Sequence, residues 1–480
     1  MDKWYEMTPT QLQDDALGRL RLYAAPPPSY TMLEAPTGVG KSLIAIRWLD
    51  NQPDGGVILT QTLSLLNQYE AVGIPVVRGA SNFKCGRSKG SKCSDHRRKC
   101  DDCSYAHQRN VGYSSPIFAT TYAHFFAARL WQSIDNVVCD EGQRLDDILT
   151  QHATMPLAKS FVSRPPEPPY DVWADEQIIY AAEQRWRFSH WGRVHVWRLR
   201  RLRDTTGPLV RLNDETDNEN YYLAPLWPTT EFSRLFGEHR VIVQSATLLG
   251  DYVSRYVLVP SELHPVVNYI AIDSPFSVNR RPIIVDPVAY LSRLSSLDDW
   301  RAVANRIYEI RRGVGKGDLG LNNDYRGLVH VASRRQVEML RAMIPYDDSH
   351  LWLFHTNERG KSRTDLFNAF RHMVGSPWLV SSSADEGEDF PYEGCRINII
   401  AKIKYPDLGS PLVAARRESG TIGKEWFEAK SVASVVQAAG RAMRREDDWG
   451  LTYVLDSNVK RLLRKDYLWP RWAKEAVVSR

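Results

Sequence analysis

The residues with the strongest claim to chemistry lie in the stretch TMLEAPTGVGKSLIAIRW, residues 31–48. An apolar run, Thr31 to Leu33, leads into a loop with two glycines, then Lys-Ser, then a helix-like segment. Strand, Gly-rich loop and helix, in that order, form the setting in which such a loop binds phosphate. Gly38 and Gly40, with Thr37 and Val39 between and before them, let backbone amides turn inward on phosphate oxygens. The helix starting near Lys41 aims its positive end at the same oxygens. Lys41 is placed to reach the β- and γ-phosphates of ATP, and the Ser42 hydroxyl to hold Mg²⁺. Ala35 stands where the pattern usually opens with Gly. A strand-to-helix turn without a nucleotide is the bland alternative, and the second cluster weighs against it. Val137-Val138-Cys139 reads as a buried strand that ends in Asp140-Glu141. Downstream of a phosphate loop, such a pair reads as a Mg²⁺-binding Asp140 and a Glu141 that orients and deprotonates the attacking water. Upstream, Gln11 could offer its amide to an adenine edge, or could be an exposed helix polar.

A third cluster is made of sulfur. Four of the six cysteines, Cys85, Cys93, Cys100 and Cys103, fall within 19 residues as C-x7-C-x6-C-x2-C. The surrounding segment, 80–110, is polar and nearly free of aliphatics, so it cannot build a core alone. Four thiolates on one metal or cluster would supply that stabilisation. The spacing fits either Zn²⁺ or an iron–sulfur cluster. Cys139 and Cys395 sit in apolar runs and read as buried small hydrophobes.

The elements that must position these groups form a βα rhythm. Val57 to Leu59, 117–121, 137–139 and 241–245 are strand-like, and ligands gather at the C-terminal ends of such strands. After Pro282 a second rhythm follows, with strands expected near 327, 352, 378, 397 and 451. Between them, 151–235 reads as largely helical, broken by RPPEPPY at 164–170. Within it, Trp186, Trp191 and Trp197 interleave with arginines, a pattern that suits either single-strand stacking or an amphipathic helix with snorkelling arginines. The net charge of +5 is compatible with a nucleic-acid partner. No signal peptide and no 18-residue apolar run is evident, so a cytoplasmic protein without membrane contact is expected.

In its order of motifs the chain resembles the XPD/DinG branch of iron–sulfur superfamily 2 DNA helicases. Gln11 matches the Q-motif glutamine, although Thr8 stands where an Arg is usual. APTGVGKS matches motif I, TQTLSLLNQY motif Ia, DEGQ motif II, QSATL motif III, HVASRRQVEML motif IV, ADEGEDF motif V and QAAGRAMR motif VI. The resemblance implies an α/β fold of two RecA-like domains with parallel sheets. Domain 1 would comprise 1–79, 111–150 and 236–275, with a four-cysteine cluster domain at 80–110 and a helical Arch-like insertion at 151–235; domain 2 would span 276–480. It further implies a [4Fe–4S] cluster on the four cysteines. Arg441 and Arg444 would act as arginine fingers beside Gln437, with Glu386 and Asp389 coupling the nucleotide to strand movement. A 5′→3′ motor on single-stranded and forked duplex DNA, of compact bacterial or phage type, is the implied activity, and one ATP site made within one chain suggests that a monomer suffices. A zinc-bearing ATP-driven translocase with little strand separation is the alternative. DEGQ departs from the family's DEAH at Gly142 and Gln143.

Overall fold

The computed structural model describes residues 10–22, 26–85, 91–95, 103–205, 207–212, 219–313, 325–344, 351–356, 363–384, 394–440 and 448–479. Cys100, Glu386, Asp389, Arg441 and Arg444 lie outside them.

Runs of short apolar residues make strands that are buried on both faces, as parallel sheets covered by helices require. β1 (Ser29–Glu34), β2 (Gly56–Thr60), β3 (Val76–Val77), β4 (Ile117–Thr121) and β5 (Asn136–Cys139) belong to the first sheet. β6 (Met155–Ala158), β7 (Leu209–Leu212) and β8 (Asn220–Pro225) form a small sheet of their own, and β9 (Arg240–Ser245) and β10 (Val267–Ala271) return to the first. Its seven strands run parallel in the order β10-β1-β9-β5-β2-β4-β3. β1, β5 and β9 are therefore neighbours. Their C-terminal ends bring the phosphate loop, Asp140-Glu141 and Ser245 to one edge.

The second lobe repeats the scheme. β11 (Ile283–Ala289), β12 (Gly327–His330), β13 (Trp352–Phe354), β14 (Trp378–Ser381), β15 (Ile397–Ile400), β16 (Leu451–Asp456) and β17 (Val477–Ser479) are parallel in the order β13-β14-β12-β15-β16-β11-β17. The two lobes share one apolar core: Val137 and Val243 of the first sheet and Val285 and Val454 of the second join the same cluster as Trp426, Val432 and Val436. These last three lie on the helix Thr421–Ala439, which is buried on most of its circumference. Its buried residues, Trp426, Val432 and Val436 among them, fill the seam between the lobes.

The helices of the first lobe are α1 (Gln11–Leu22), α2 (Lys41–Asp50), α3 (Leu63–Ala71), α4 (Ser104–Ser114), α5 (Tyr122–Ala127), α6 (Leu145–Ala153), α7 (Tyr170–Glu183), α8 (His190–Arg203), α9 (Thr229–Phe236) and α10 (Asp251–Leu258). The stretch 151–235 holds α7 and α8 as expected, but also the antiparallel sheet β6-β8-β7, which the sequence pattern did not suggest. Trp173 of α7 and Leu199 and Leu202 of α8 pack on Met155, Leu157 and Leu223 of that sheet. Three expected domain cuts, at 110, 150 and 235, fall inside α4, α6 and α9. The composition changes there, yet the helices carry the chain across each change. α4, for instance, approaches β3 so closely that a Cβ on Gly112 would meet Val77 Cγ2 at 2.2 Å. Among the described residues no helix is long and apolar enough to cross a membrane.

Candidate nucleotide site

The phosphate loop joins β1 to α2. Gly38 and Gly40 have φ of 82° and 81°, the left-handed region that glycine enters without steric cost. Gly40 is also pinned from outside the loop. The Gln13 amide donates to Val39 O at 2.7 Å, and its carbonyl accepts from Thr10 N at 2.8 Å. A Cβ on Gly40 would meet Gln13 Nε2 at 2.2 Å. Gln11 stands exposed on the first turn of α1; the glutamine that touches the loop is Gln13, which the sequence reading missed. A Thr-x-x-Gln helix start was the local signal that pointed to it. Lys41 Nζ reaches back to Ala35 O and Pro36 O, both at 3.3 Å.

Asp140 is buried beneath the loop. Its Oδ2 accepts from Tyr69 OH at 2.9 Å; its Oδ1 accepts from Gln244 Nε2 and from Glu141 N, both at 3.0 Å. Burial lifts the Asp140 carboxyl above its ordinary range and the charge of Glu141 adds to this, while Lys41, Tyr69 and Gln244 pull it down. The Tyr69 hydroxyl also hydrogen-bonds with Ser42, so one buried phenol on α3 spans the serine of the loop and the carboxylate of β5. Tyr69 closes the motif Ia stretch TQTLSLLNQY, but nothing in the sequence assigned it a role of its own.

Glu141 has φ 55°, a left-handed backbone in a non-glycine residue, and such strain persists only where the surroundings impose it. Gln143 Nε2 donates to Glu141 Oε2 at 2.6 Å, and Gln143 Oε1 accepts from Ser245 Oγ at 2.5 Å. Thr247 N donates to Ser245 Oγ at 3.0 Å, and Gln437 Nε2 donates to Thr247 Oγ1 at 3.2 Å. An unbroken hydrogen-bonded chain thus runs from Glu141 through Gln143, Ser245 and Thr247 to a glutamine of the second lobe. Gly142 has its own reason: a Cβ there would meet Val243 Cγ1 at 2.3 Å. The lobes also touch at the loop itself, where a Cβ on Gly440 would lie 3.3 Å from Thr37 Oγ1. The arrangement can enclose a triphosphate between a cationic loop, two carboxylates and the end of the helix Thr421–Ala439.

Residues 321–475 match the family model of the Helicase C-terminal domain. An XPD helicase structure superposes with a TM-score of 0.61 at 16% identity, covering 100% of this chain and 99% of that one. An apo XPD structure gives 0.60 at 15% identity, covering 98% and 100%. Xpd4 of S. tokodaii gives 0.59 at 13%, with coverage of 98% and 100%. The chain has the fold of the XPD helicases. Among curated proteins, the Regulator of telomere elongation helicase 1 homolog of Drosophila ananassae is 29% identical over 108 residues, which is 20% of this chain and 11% of that protein. The homolog of Drosophila melanogaster is 28% identical over 108 residues, again 11% of its length. The chain therefore matches only about a tenth of the length of these relatives.

Within this XPD-type fold the cysteine segment is partly described. Lys84 and Lys92 form an antiparallel bridge, with Cys85 N on Ser91 O and Cys93 N on Phe83 O, both at 2.9 Å. The two bridged segments therefore carry Cys85 and Cys93. Cys103 caps α4, its Sγ accepting from Ala106 N at 3.4 Å, and Tyr105 rests on Phe83 with ring centroids 5.6 Å apart. Three of the four sulfurs thus share one small lobe, tied by an aromatic pair. This donor set suits a thiophilic metal or cluster. Among the described residues no group of three or more His, Cys, Asp or Glu is gathered as a ligand set.

Glu34, at the end of β1, is a cost built into the same edge. It is 4% exposed, accepts from Tyr269 OH at 2.8 Å, and burial pushes its carboxyl from 4.5 up to about 7. Between those values the folded chain binds more protons at Glu34 than the unfolded chain does, so stability falls as pH rises from about 4.5 to about 7. The shift corresponds to roughly 3 kcal/mol. Glu34→Gln is expected to flatten this part of the profile of thermal midpoint against pH; an unchanged profile would contradict it.

Proposed function

We propose that the chain is an ATP-dependent DNA helicase that hydrolyses ATP between its two lobes and moves 5′→3′ along single-stranded DNA. The observation that carries the reading is the hydrogen-bonded chain from Glu141 across the cleft to Gln437. It offers a physical route by which the state of the nucleotide changes the contact between lobes. The preference for DNA, the polarity and the separation of forked duplexes follow from the resemblance to the XPD/DinG helicases. Domain 1 is formed by the first seven-stranded sheet and domain 2 by the second, with the four-cysteine lobe and the 151–235 insertion emerging from the first.

In this reading Gly38, Val39 and Gly40 present amides to the phosphates, and Lys41 swings from Ala35 O and Pro36 O onto the β- and γ-oxygens. Ser42 and Asp140 would hold Mg²⁺, which would neutralise phosphate charge. Glu141 takes the proton of the attacking water and Gln143 keeps its carboxylate aimed. Gln437, Arg441 and Arg444 meet the γ-phosphate from domain 2. Loss of that phosphate loosens the closed form and the lobes shift, which advances the strand. Cys85, Cys93, Cys100 and Cys103 would hold the cluster, whose contribution is structural support for a lobe without its own core.

Unwinding of forked, 5′-tailed and 3′-tailed duplexes tests the activity. Lys41→Ala is expected to lose ATP hydrolysis and unwinding together, and retained strand-stimulated hydrolysis in that variant would overturn the site. Tyr69→Phe removes a hydrogen bond from a metal-holding carboxylate. Such losses cost about 10- to 100-fold in metal affinity or activity, so the Mg²⁺ concentration for half-maximal hydrolysis should rise in that range. Iron, sulfide and zinc content of anaerobically purified protein distinguishes about four irons per chain from about one zinc.

A further inference from the structure

A cavity of about 850 Å³ lies between the segment after α5 and the end of α8, and no step above uses it. Arg129 and Trp131 precede β5, His152 ends α6, and Thr230 and Arg234 lie on the helix before β9. These walls come from connections at the N-terminal edge of β5 and β9. The nucleotide site uses the opposite edge.

One carboxylate organises the wall. Glu231 is 4% exposed and accepts from His152 Nδ1 at 2.5 Å, Arg201 Nη2 at 2.5 Å and Arg234 Nη2 at 2.6 Å. Arg234 then lies over the Trp131 ring, 5.0 Å from its centroid, and Arg201 over Trp197 at 5.5 Å. Two further guanidinium groups, Arg129 and Arg200, line the same space and have no ion-pair partner among the described residues. Asp204, the other acid in the wall, is engaged by Arg203 at 2.8 Å. The cavity is left with surplus positive charge beside indole faces. Arg129 also has φ 56°; among the described residues the other non-glycine with positive φ is Glu141. Strain of this kind clusters at functional sites.

The structure also separates the tryptophans that the sequence grouped together. Trp186 stacks on Phe161 at 4.6 Å and meets His195 edge-on, so its role is packing. Trp197 is 55% exposed at the rim of the cavity.

We propose that this cavity is a second site for a single nucleic-acid strand, with phosphates on Arg129 and Arg200 and a base stacked on Trp197. The proposal rests on the nucleic-acid reading above and adds a contact remote from the ATP edge. Arginine pairs release counterions on binding phosphate, and an exposed indole accepts any base face. An acidic protein segment is the competing occupant, and it would leave strand binding untouched.

The test uses the full chain and labelled oligo-dT of two lengths, about eight and about thirty nucleotides, the shorter filling one site and the longer reaching both. Arg129→Ala/Arg200→Ala is expected to weaken binding of the long strand about tenfold or more and to reduce the slope of log K against log salt by about 1.4, two contacts at about 0.7 each. Trp197→Ala should weaken it about 5-fold or more with the slope unchanged. Short-strand binding, and ATP hydrolysis stimulated by the short strand, should match the wild type. Arg129→Lys/Arg200→Lys should restore the slope. Equal affinity and slope for the long strand in wild type and double variant would overturn the proposal, and so would equal losses with both lengths, which would put these arginines on the main track. Failure of the wild type to bind either strand would instead remove the nucleic-acid reading, and this site with it.

Discussion

Glu141→Gln is expected to lower kcat for strand-stimulated ATP hydrolysis by about 10²- to 10⁴-fold, the usual contribution of a positioned general base. KM for ATP should change little, because in the proposed site the phosphates would be held by the loop and by Lys41. Glutamine matches glutamate in shape, so the backbone at φ 55° and the contact with Gln143 at 2.6 Å place similar demands on both. What it lacks is a site for the proton. Gln143→Ala should act in the same direction but less strongly, since it leaves the base in place and releases only its orientation. Single-turnover hydrolysis alongside nucleotide-binding titrations separates these effects. Near-normal turnover in Glu141→Gln would mean that the water is activated elsewhere in the cleft.

Groups whose geometry is set locally were legible in the sequence. Gly38 and Gly40 announce a loop because only glycine takes their φ angles at no cost. Asp140 follows a run of apolar residues that has no comfortable place except a buried strand. The parallel sheets and the helicase resemblance came from repeating such local readings in order. Gln143 of the DEGQ motif reaches motif III through Ser245. Groups whose role depends on distant partners were not legible. Gln13 and Gln11 both complete a Thr-x-x-Gln start in sequence, and that Gln13 is the one that touches the loop depends on the packing of α1. Tyr69 reads as one more apolar residue of α3 until β5 is placed beside it. β6, β7 and β8 are short and partly exposed, so their alternation is weak. The domain cuts followed composition, and composition does not report where a helix ends.

The contact with the largest expected effect on stability joins residues 284 positions apart. Asp146, just beyond the DEGQ motif, is 1% exposed, and so is Arg416 of the second lobe. Asp146 Oδ1 accepts from Lys430 Nζ at 2.7 Å and its Oδ2 from Trp426 Nε1 at 2.7 Å. Arg416 Nη1 lies 3.8 Å from the same carboxylate and also reaches Asp147 Oδ1 at 3.1 Å. Its guanidinium lies 5.0 Å from the ring centroids of both Trp227 and Trp426, which meet edge to face. Burial works against the Lys430 charge, yet Asp146 and Asp147 hold its ammonium above the ordinary range. Removing one member of such a group strands the others in a dry seam, which costs about 3–5 kcal/mol. Asp146→Ala should therefore lower the midpoint of unfolding sharply. Lys430→Met should do so less, because Asp146 keeps Trp426 and Arg416. In the double variant the Asp146→Ala step should become cheaper, since one stranded charge is gone, and a coupling near zero in this cycle would refute the clasp. The clasp also bears on turnover. Lys430 Nζ donates to Gln143 O at 2.9 Å, and the Gln143 side chain aims Glu141. Loosening the seam should thus reduce kcat as well as stability, and a variant that lost stability with kcat intact would show that the clasp holds the lobes together without aligning the base.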